Sequence, residues 1–296
     1  MFKMKLKNSV LSFYKYVRIG NPAKIQEEQI KLCKSLNLLG RILLGEEGIN
    51  GSVYGAKESV QAYRQELSKS GLFCGIEFKE QPSQKPAFRK LFVRIRKEIV
   101  NSGLEVDLKN TADFVSPQEL KKMLDKNEDI VLVDVRNDYE SRIGRFKNAR
   151  TMSMKNFRDF PNYVDEIKDL KDKNVVTYCT GGIRCEKASA FLKESGFKNV
   201  SQLKGGILSF GNEFPDTYWQ GKCFVFDDRI AIEINEKNTE PLNECSWCGK
   251  KCGNYLNCYN IECDRLFICC EECSEKSNKS CSEECSKASK RRKINF

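Results

Sequence analysis

Hydrophobic positions change rhythm three times along this chain. Over residues 10–100 they come in short runs separated by turn residues. Residues 10–19 (VLSFYKYVRI) are rich in β-branched and aromatic side chains and predict a strand. Asn21-Pro22 supplies an N-cap followed by proline at the first helical position, which predicts a helix to about Leu36. Residues 41–44 lead through Gly45-Glu46-Glu47-Gly48-Ile49-Asn50-Gly51 into a second short strand, residues 52–54. Residues 58–67 are amphipathic and stop at Ser70-Gly71, and residues 88–100 predict a further strand. Strand, helix, hairpin, helix, strand describes a small α+β domain with helices on one face of an antiparallel sheet.

Residues 101–115 carry Asn, Gly, Asp and Thr without periodicity and read as a linker. Ser116-Pro117-Gln118-Glu119 is a capping box with proline at N1 and starts a helix. Residues 130–135 (IVLVDV) form a nearly continuous apolar run, the mark of a strand buried on both faces. A helical stretch at 164–170, a strand from Asn174, a helix over 186–193, a Gly196 stop and a strand over 199–203 follow. This alternation predicts an α/β domain, a parallel sheet with helices on both faces. From about Pro241 apolar residues thin out and cysteines crowd in. The expected organisation is an α+β domain (1–100), the linker, an α/β domain (116–222), a Cys-rich metal-binding region (223–285) and a basic tail (286–296).

Charge sharpens this picture. The 296-residue chain carries a formal net charge of +10, which suits an anionic partner, nucleic acid first, as well as a solubilising surface. Residues 79–97 hold seven basic residues against one acid. Lys85, Arg89, Lys90, Arg94 and Arg96 interleave there with Phe88, Phe92, Val93 and Ile95. As a strand, Lys90, Phe92, Arg94 and Arg96 share one face, which reads either as a phosphate-and-base surface or as a half-solvated strand. The basic run at 287–293 reads as a solvated tail that also offers charge to RNA. No apolar stretch reaches bilayer-spanning length, and the basic start is not followed by a signal-peptide core, so the expectation is a cytoplasmic protein without a membrane partner.

The chemistry concentrates at Cys179-Thr180-Gly181-Gly182-Ile183-Arg184-Cys185, where a β-branched run ends on a cysteine and a glycine loop leads into a helix. Loop N–H groups and the helix N-terminus favour negative charge at that point, and Arg184 adds a cation, so the Cys179 thiol is expected to ionise well below its free pKa. The chain has no histidine, which removes Ser-His and Cys-His schemes and leaves local electrostatics to activate the nucleophile. In tyrosine phosphatases the arginine follows six positions after the cysteine; here Arg184 follows five after, so the loop encloses less space and suits a sulfur atom. Cys185 reads two ways, as a resolving thiol or as a small residue packed in the first helical turn.

This loop resembles that of the rhodanese family. Asp134-Val135-Arg136, Glu140, Gly144 and Ala149 fall where that family's preceding signature lies, and Leu203-Lys204-Gly205-Gly206-Ile207 where its closing one does. The resemblance implies that Cys179 carries a persulfide, in a pocket shaped and charged by Gly181, Gly182 and Arg184. Cys179 to Ala188, Gly45 to Gly51 and the Cys-rich end together are similar to the tRNA uridine(34) hydroxylases among rhodanese-like proteins. That resemblance implies oxygen-dependent formation of 5-hydroxyuridine at the wobble position, with a ferredoxin-like or acylphosphatase-like N-terminal domain holding the anticodon region of tRNA. The Gly48, Asn50 and Gly51 cluster also reads simply as a hairpin turn. Molecular oxygen would be a co-substrate, and the sulfur or electron donor protein stays open. No dinucleotide fingerprint, flavin motif or two-histidine iron site is present. A plain persulfide sulfurtransferase acting on a protein thiol or a tRNA-thiolation pathway is the alternative function, and a non-catalytic RNA-binding scaffold a third.

Ten of the 15 cysteines lie between residues 245 and 285. Without a secretion signal this density reads as metal binding, with two ligands per knuckle and four per tetrahedral zinc. Cys245, Cys248, Cys258, Cys263, Cys270, Cys273, Cys281 and Cys285 are the expected ligands of two structural zinc sites, with Cys252 and Cys269 spare and an Fe–S cluster as the rival.

Overall fold

The computed structural model describes residues 7–292. The N-terminal domain runs β1 (Asn8–Tyr16), α1 (Pro22–Ser35), β2 (Leu39–Gly45), β3 (Gly48–Ala56), α2 (Lys57–Lys69), β4 (Glu77–Ser83) and β5 (Leu91–Ile95). The Asn21 side chain accepts from the Lys24 N–H at 3.1 Å, and Pro22 occupies the first turn of α1. The sheet order is β4-β1-β3-β2-β5. It is mixed and not purely antiparallel as expected, because β5 runs parallel to β2. The strand expected over 88–100 shortens to Leu91–Ile95, so Phe92 and Arg94 lie within it and Lys90 and Arg96 flank it. Strand β4 has no counterpart in the sequence reading: its residues are mostly polar and include Pro82, a residue confined to sheet edges.

One face of this sheet is apolar. Leu11, Phe13, Ile42, Leu44 and Val53 pack there with Val60 and Tyr63 of α2. Gly51 is needed on that face, since a Cβ would stand 2.8 Å from the Phe13 ring. The opposite face is polar, with Ser12 and Tyr14 on β1, Arg41 on β2, Asn50 and Ser52 on β3 and Lys79 on β4. Register places Ser12 opposite both Ser52 and Lys79, and the two serine hydroxyls lie 2.8 Å apart.

The central domain comprises β6 (Asp113–Val115), α3 (Pro117–Asp125), β7 (Ile130–Asp134), α4 (Asp138–Ile143), β8 (Gly144–Phe146), β9 (Arg150–Thr151), α5 (Phe160–Tyr163), β10 (Asn174–Tyr178), α6 (Ile183–Glu194), β11 (Asn199–Leu203) and α7 (Gly206–Glu213). Its five-stranded sheet, β6-β11-β10-β7-β9, is parallel throughout. One face buries Val133, Val175 and Cys179 against α6 and the segment around Phe160, and the other buries Leu132, Val176 and Tyr178 against α3 and α7. The helical stretch expected at 164–170 is a kinked 3-10 segment. The linker expected over 101–115 is built into this domain: Leu104 is buried in its core and β6 forms the sheet edge. β12 (Trp219–Phe224) pairs with β8 and with β13 (Ala231–Glu233), so the segment after residue 222 begins as sheet before it becomes Cys-rich.

The C-terminal region holds β14 (Tyr255–Asn257), β15 (Leu266–Ile268), α8 (Glu271–Lys276) and α9 (Glu283–Ser286). It docks on the central domain through the Tyr255 hydroxyl, which donates to the Tyr139 carbonyl at 2.8 Å. The tail expected to be solvated is folded back as far as Arg292: Lys290 pairs with Glu262, and Arg291 donates to the Cys285 carbonyl. Lys293 lies outside the described residues. Among the described residues no helix is long and apolar enough to cross a membrane.

The polar face of the N-terminal sheet is turned toward the central domain, and ion pairs hold the two together. Lys187 of α6, its side chain nearly buried, reaches Glu98 at 2.8 Å and Glu47 of the β2–β3 hairpin at 3.1 Å. Burial pushes the Glu98 carboxyl up, but hydrogen bonds from Lys187, Ser102 and the Gly103 N–H outweigh it and bring the pKa down to about 2. Its contribution to stability is therefore complete above the unfolded value of 4.5 and is lost as pH falls from there toward 2. Lys187→Met is expected to cost about 2 kcal/mol, measured as a lower urea midpoint at pH 7. The wild-type advantage should shrink between pH 4.5 and 2; an unchanged midpoint would remove this clasp from the account.

Candidate active site and cysteine clusters

Strand β10 ends at Tyr178, and the chain turns through Cys179-Thr180-Gly181-Gly182 into α6. Gly182 has φ +100°, a left-handed conformation that favours glycine, and its N–H donates to the Cys179 Sγ at 3.1 Å. The start of α7 clamps the same loop: the Ile207 N–H donates to the Cys179 carbonyl at 3.0 Å and the Leu208 N–H to that of Thr180 at 3.1 Å. This approach requires glycine at 206, where a Cβ would lie 2.3 Å from the Cys179 oxygen.

Arg184 is fixed by a bidentate pair with Glu140, at 2.5 and 2.8 Å, and donates to the Thr180 hydroxyl at 3.3 Å. Glu140 in turn accepts from the Asn137 N–H at 3.1 Å. Burial alone would push the Cys179 thiol up. The Cys185 thiol hydrogen bond, the Arg184 charge and the N–H groups of Arg184 and Gly182 overcome this and bring its pKa down to about 5. Cys185 is itself buried, shifted the other way first by burial and then by its bond to Cys179, and stays protonated as a free thiol. Asp134 and Arg136 form a separate buried pair, at 2.9 and 2.7 Å, with Arg136 also donating to the Gly144 carbonyl. They brace β7 against β8 and do not line the cleft.

A cavity of about 430 Å³ opens over Cys179, Thr180, Gly181, Ile183 and Arg184. Its opposite wall is the polar face of the N-terminal sheet, including Tyr14, Arg41, Asn50 and Lys79. A third side comes from the segment after β12, where Phe226 is 53% exposed and its ring centroid stands 5.7 Å from the Arg184 guanidinium. Arg229, also on this wall, is held by Asp227 at 2.8 and 2.6 Å. The Tyr14 hydroxyl donates to Glu186 of α6 at 3.2 Å. Sequence reasoning missed Tyr14, Arg41, Lys79, Phe226 and Arg229, because nothing local marks a residue that meets the cysteine across a domain boundary.

The basic residues singled out in the sequence lie elsewhere. Lys85, Arg89, Lys90, Arg94 and Arg96 are exposed and do not line this cavity. Arg89 pairs with Asp228 at 3.2 Å, and the Arg94 guanidinium sits 4.9 Å from the Phe92 ring centroid.

The cysteine-rich region brings two sets of four sulfurs together, each within 4.8 Å: Cys245, Cys248, Cys270 and Cys273, and Cys258, Cys263, Cys281 and Cys285. The two sets alternate along the chain, so each closes a loop that contains ligands of the other. Sulfur separations of 3.8, 3.6 and 3.9 Å (Cys248–Cys270, Cys263–Cys281, Cys281–Cys285) match the edge of about 3.8 Å expected of a tetrahedron with metal–sulfur bonds of about 2.3 Å. Both groups could therefore hold a metal ion. Cys252 and Cys269 are buried beside the first group but are not members of it.

The thiolate assignment is open to direct measurement. Iodoacetamide alkylation of Cys179, followed by peptide mass spectrometry, should stay fast down to about pH 6 and decline through about 5. Arg184→Gln should move the midpoint upward; a wild-type midpoint in the range of a free thiol would refute the assignment.

The chain matches the families described as "UPF0176 acylphosphatase like domain" over residues 8–99, "Rhodanese-like domain" over 116–213 and "Rhodanase C-terminal" over 220–286. It is 45% identical over 278 residues to a tRNA uridine(34) hydroxylase of Cytophaga hutchinsonii, covering 93% of this chain and 89% of that one. It is 43% identical over 288 residues to the protein of that name from Enterococcus faecalis (95% and 90% covered). The corresponding protein of Bacillus licheniformis is 41% identical over 288 residues (95% and 89%). An N-terminal acylphosphatase-like domain, a central rhodanese-like domain with its cysteine loop and a Cys-rich end thus occur together, and the chain belongs to the tRNA uridine(34) hydroxylase family.

Proposed function

We propose that this protein hydroxylates the wobble uridine of tRNA to 5-hydroxyuridine, with molecular oxygen as co-substrate and Cys179 as the essential reactive group. The observation that carries the reading is the near full-length identity to tRNA uridine(34) hydroxylases. The cleft supports it physically. Its volume of about 430 Å³ suits a single base with its ribose, and Phe226 offers an aromatic face at the mouth. A base must leave its stack to enter such a cleft, which costs least in a single-stranded loop, so we assign the anticodon loop as the part of tRNA engaged. Exposed Lys85, Arg89, Lys90, Arg94 and Arg96 on the same domain are assigned to the phosphates around it. We place Cys179 and Arg184 in the catalytic machinery, with Thr180, Gly181, Gly182, Ile183 and Cys185 shaping the loop. One oxygen atom enters the base and the other leaves as water, which consumes two electrons and two protons, and we assign their supply to a donor outside this chain.

Both cysteine groups are assigned to zinc in structural sites, because four thiolates leave no open coordination position and suit a tetrahedral ion. Fifteen cysteines, all free thiols or grouped in these clusters, support a reducing, cytoplasmic setting.

Nucleoside mass spectrometry of tRNA from cells lacking this protein tests the function. Complementation with the wild-type chain should restore 5-hydroxyuridine, and Cys179→Ala should leave it absent. Full restoration by the alanine variant would sink the reading. The metal assignment has its own test. A strong chelator should release two zinc ions per chain and expose residues 241–292 to protease. Retained protection with no zinc released would refute it.

A further inference from the structure

Lys79 is out of keeping with its surroundings. It is only 3% exposed, although it sits on the outermost strand of the N-terminal sheet, because the central domain covers it. Its stem packs against the Gly205 turn, where a Cβ on that glycine would lie 3.2 Å from the Lys79 Cε. Its Nζ stands 4.7 Å from the centroid of the Tyr14 ring. That ring face is its interaction partner, and among the described residues no carboxylate reaches it within ion-pair distance. The charged and titratable groups around it are engaged with others. Glu77, on its own strand, pairs with Lys204 at 2.8 Å. Glu186 accepts from Tyr14, Thr111 and Gln202. Cys179 takes its hydrogen bonds from its own loop and from Cys185.

The other buried cations of the cavity are committed: Arg184 to Glu140 and Arg229 to Asp227. An ammonium that lines a cleft beside an aromatic ring and has no carboxylate partner is incompletely compensated for its burial. Such a group in a reactive cleft has the properties of a ligand-binding cation whose acceptor arrives with the substrate.

Resting on the function proposed above, we propose that Lys79 is a substrate-binding residue of this site, its ammonium donating to a ring carbonyl oxygen of the uracil held over Cys179. Lys79 and Cys179 border the same cleft, so a planar ring that presents a carbon to Cys179 turns a carbonyl oxygen toward Lys79. Negative charge that the ring acquires when its carbon reacts falls on that oxygen, where a buried cation acts with little screening. Burial, partly countered by Glu77, Cys179 and Glu186, brings the Lys79 pKa down to about 8, so the ammonium form prevails at neutral pH and is lost above about 8. The N-terminal domain in this account completes the active site in addition to holding tRNA.

The test uses the full-length protein added to aerobic extract of cells that lack it, reading 5-hydroxyuridine formed in tRNA over time, with tRNA affinity measured separately. Lys79→Met should lower the maximal rate about 100-fold while tRNA affinity stays within about threefold. Lys79→Arg should retain part of the rate and lose the decline above about pH 8. Lys79→Ala should be partly rescued by added propylamine, a result that a merely structural role would not give and that carries the test if the methionine variant unfolds. Persulfide loading of Cys179 from thiosulfate should be unaffected by Lys79→Met. A methionine variant within about threefold of wild type in rate overturns the proposal. So does an equal loss of persulfide loading, which would assign Lys79 to the sulfur. A wild-type protein that forms no 5-hydroxyuridine in this extract would instead refute the underlying function, so the two failures are distinguishable.

Discussion

A negative charge held on the buried Cys179 sulfur is the constraint that the surrounding structure answers. Burial opposes that charge, so it must be supported by fixed dipoles and cations at short range. The loop N–H groups point at the sulfur only because Gly182 takes a left-handed conformation, and the loop keeps its shape only because Gly206 lets α7 press against it. Arg184 can act as a fixed cation only while Glu140 holds its guanidinium in place. Cys185, close enough to donate, is kept neutral by the same burial that its neighbour overcomes. Two thiols in one pocket thus divide into a thiolate and a proton donor.

The second layer of organisation is the division of labour between the faces of the N-terminal sheet. Its apolar face is consumed by α1 and α2, as in any small sandwich. Its polar face would be costly to bury against an ordinary core, and it is not buried that way. It forms a wall of the cleft, with Ser12, Tyr14, Asn50 and Lys79 directed at the central domain. The Lys187 clasp with Glu47 and Glu98 keeps the two walls apart by a set distance, so the volume over Cys179 is a property of the domain pair. The Cys-rich end docks through Tyr255 on α4, the helix that carries Glu140, and the Tyr255 ring meets that of Phe224 at 6.0 Å between centroids, where the chain enters the third wall.

Much of this was legible in the sequence, and the legible parts share a property. The Ser116 capping box, the Asn21-Pro22 start of α1, the β10–loop–α6 unit and the cysteine knuckles depend on residues a few positions apart, where spacing is geometry. The glycines at 182, 205 and 206 announced backbone shapes that other residues adopt at a cost. Even the grouping of eight cysteines follows from knuckle spacing and from the lack of histidine, although spacing left their pairing into two interleaved sets undecided.

Tertiary structure decided the rest, because it turned on surfaces distant in sequence. The parallel pairing of β5 with β2, the capture of residues 113–115 as a sheet edge and the bridge of Arg291 to Asn260 are long-range pairings with no local mark. A polar strand such as β4 looks like a loop until a second domain covers Lys79. The sequence by itself determined a reactive cysteine loop, a parallel central sheet and a thiolate-rich end, since each is written in contiguous residues. Which side chains face that cysteine was decided only when two domains and the segment after β12 closed around it, because burial of a polar group depends on its neighbour across the gap and not on its neighbours in the chain.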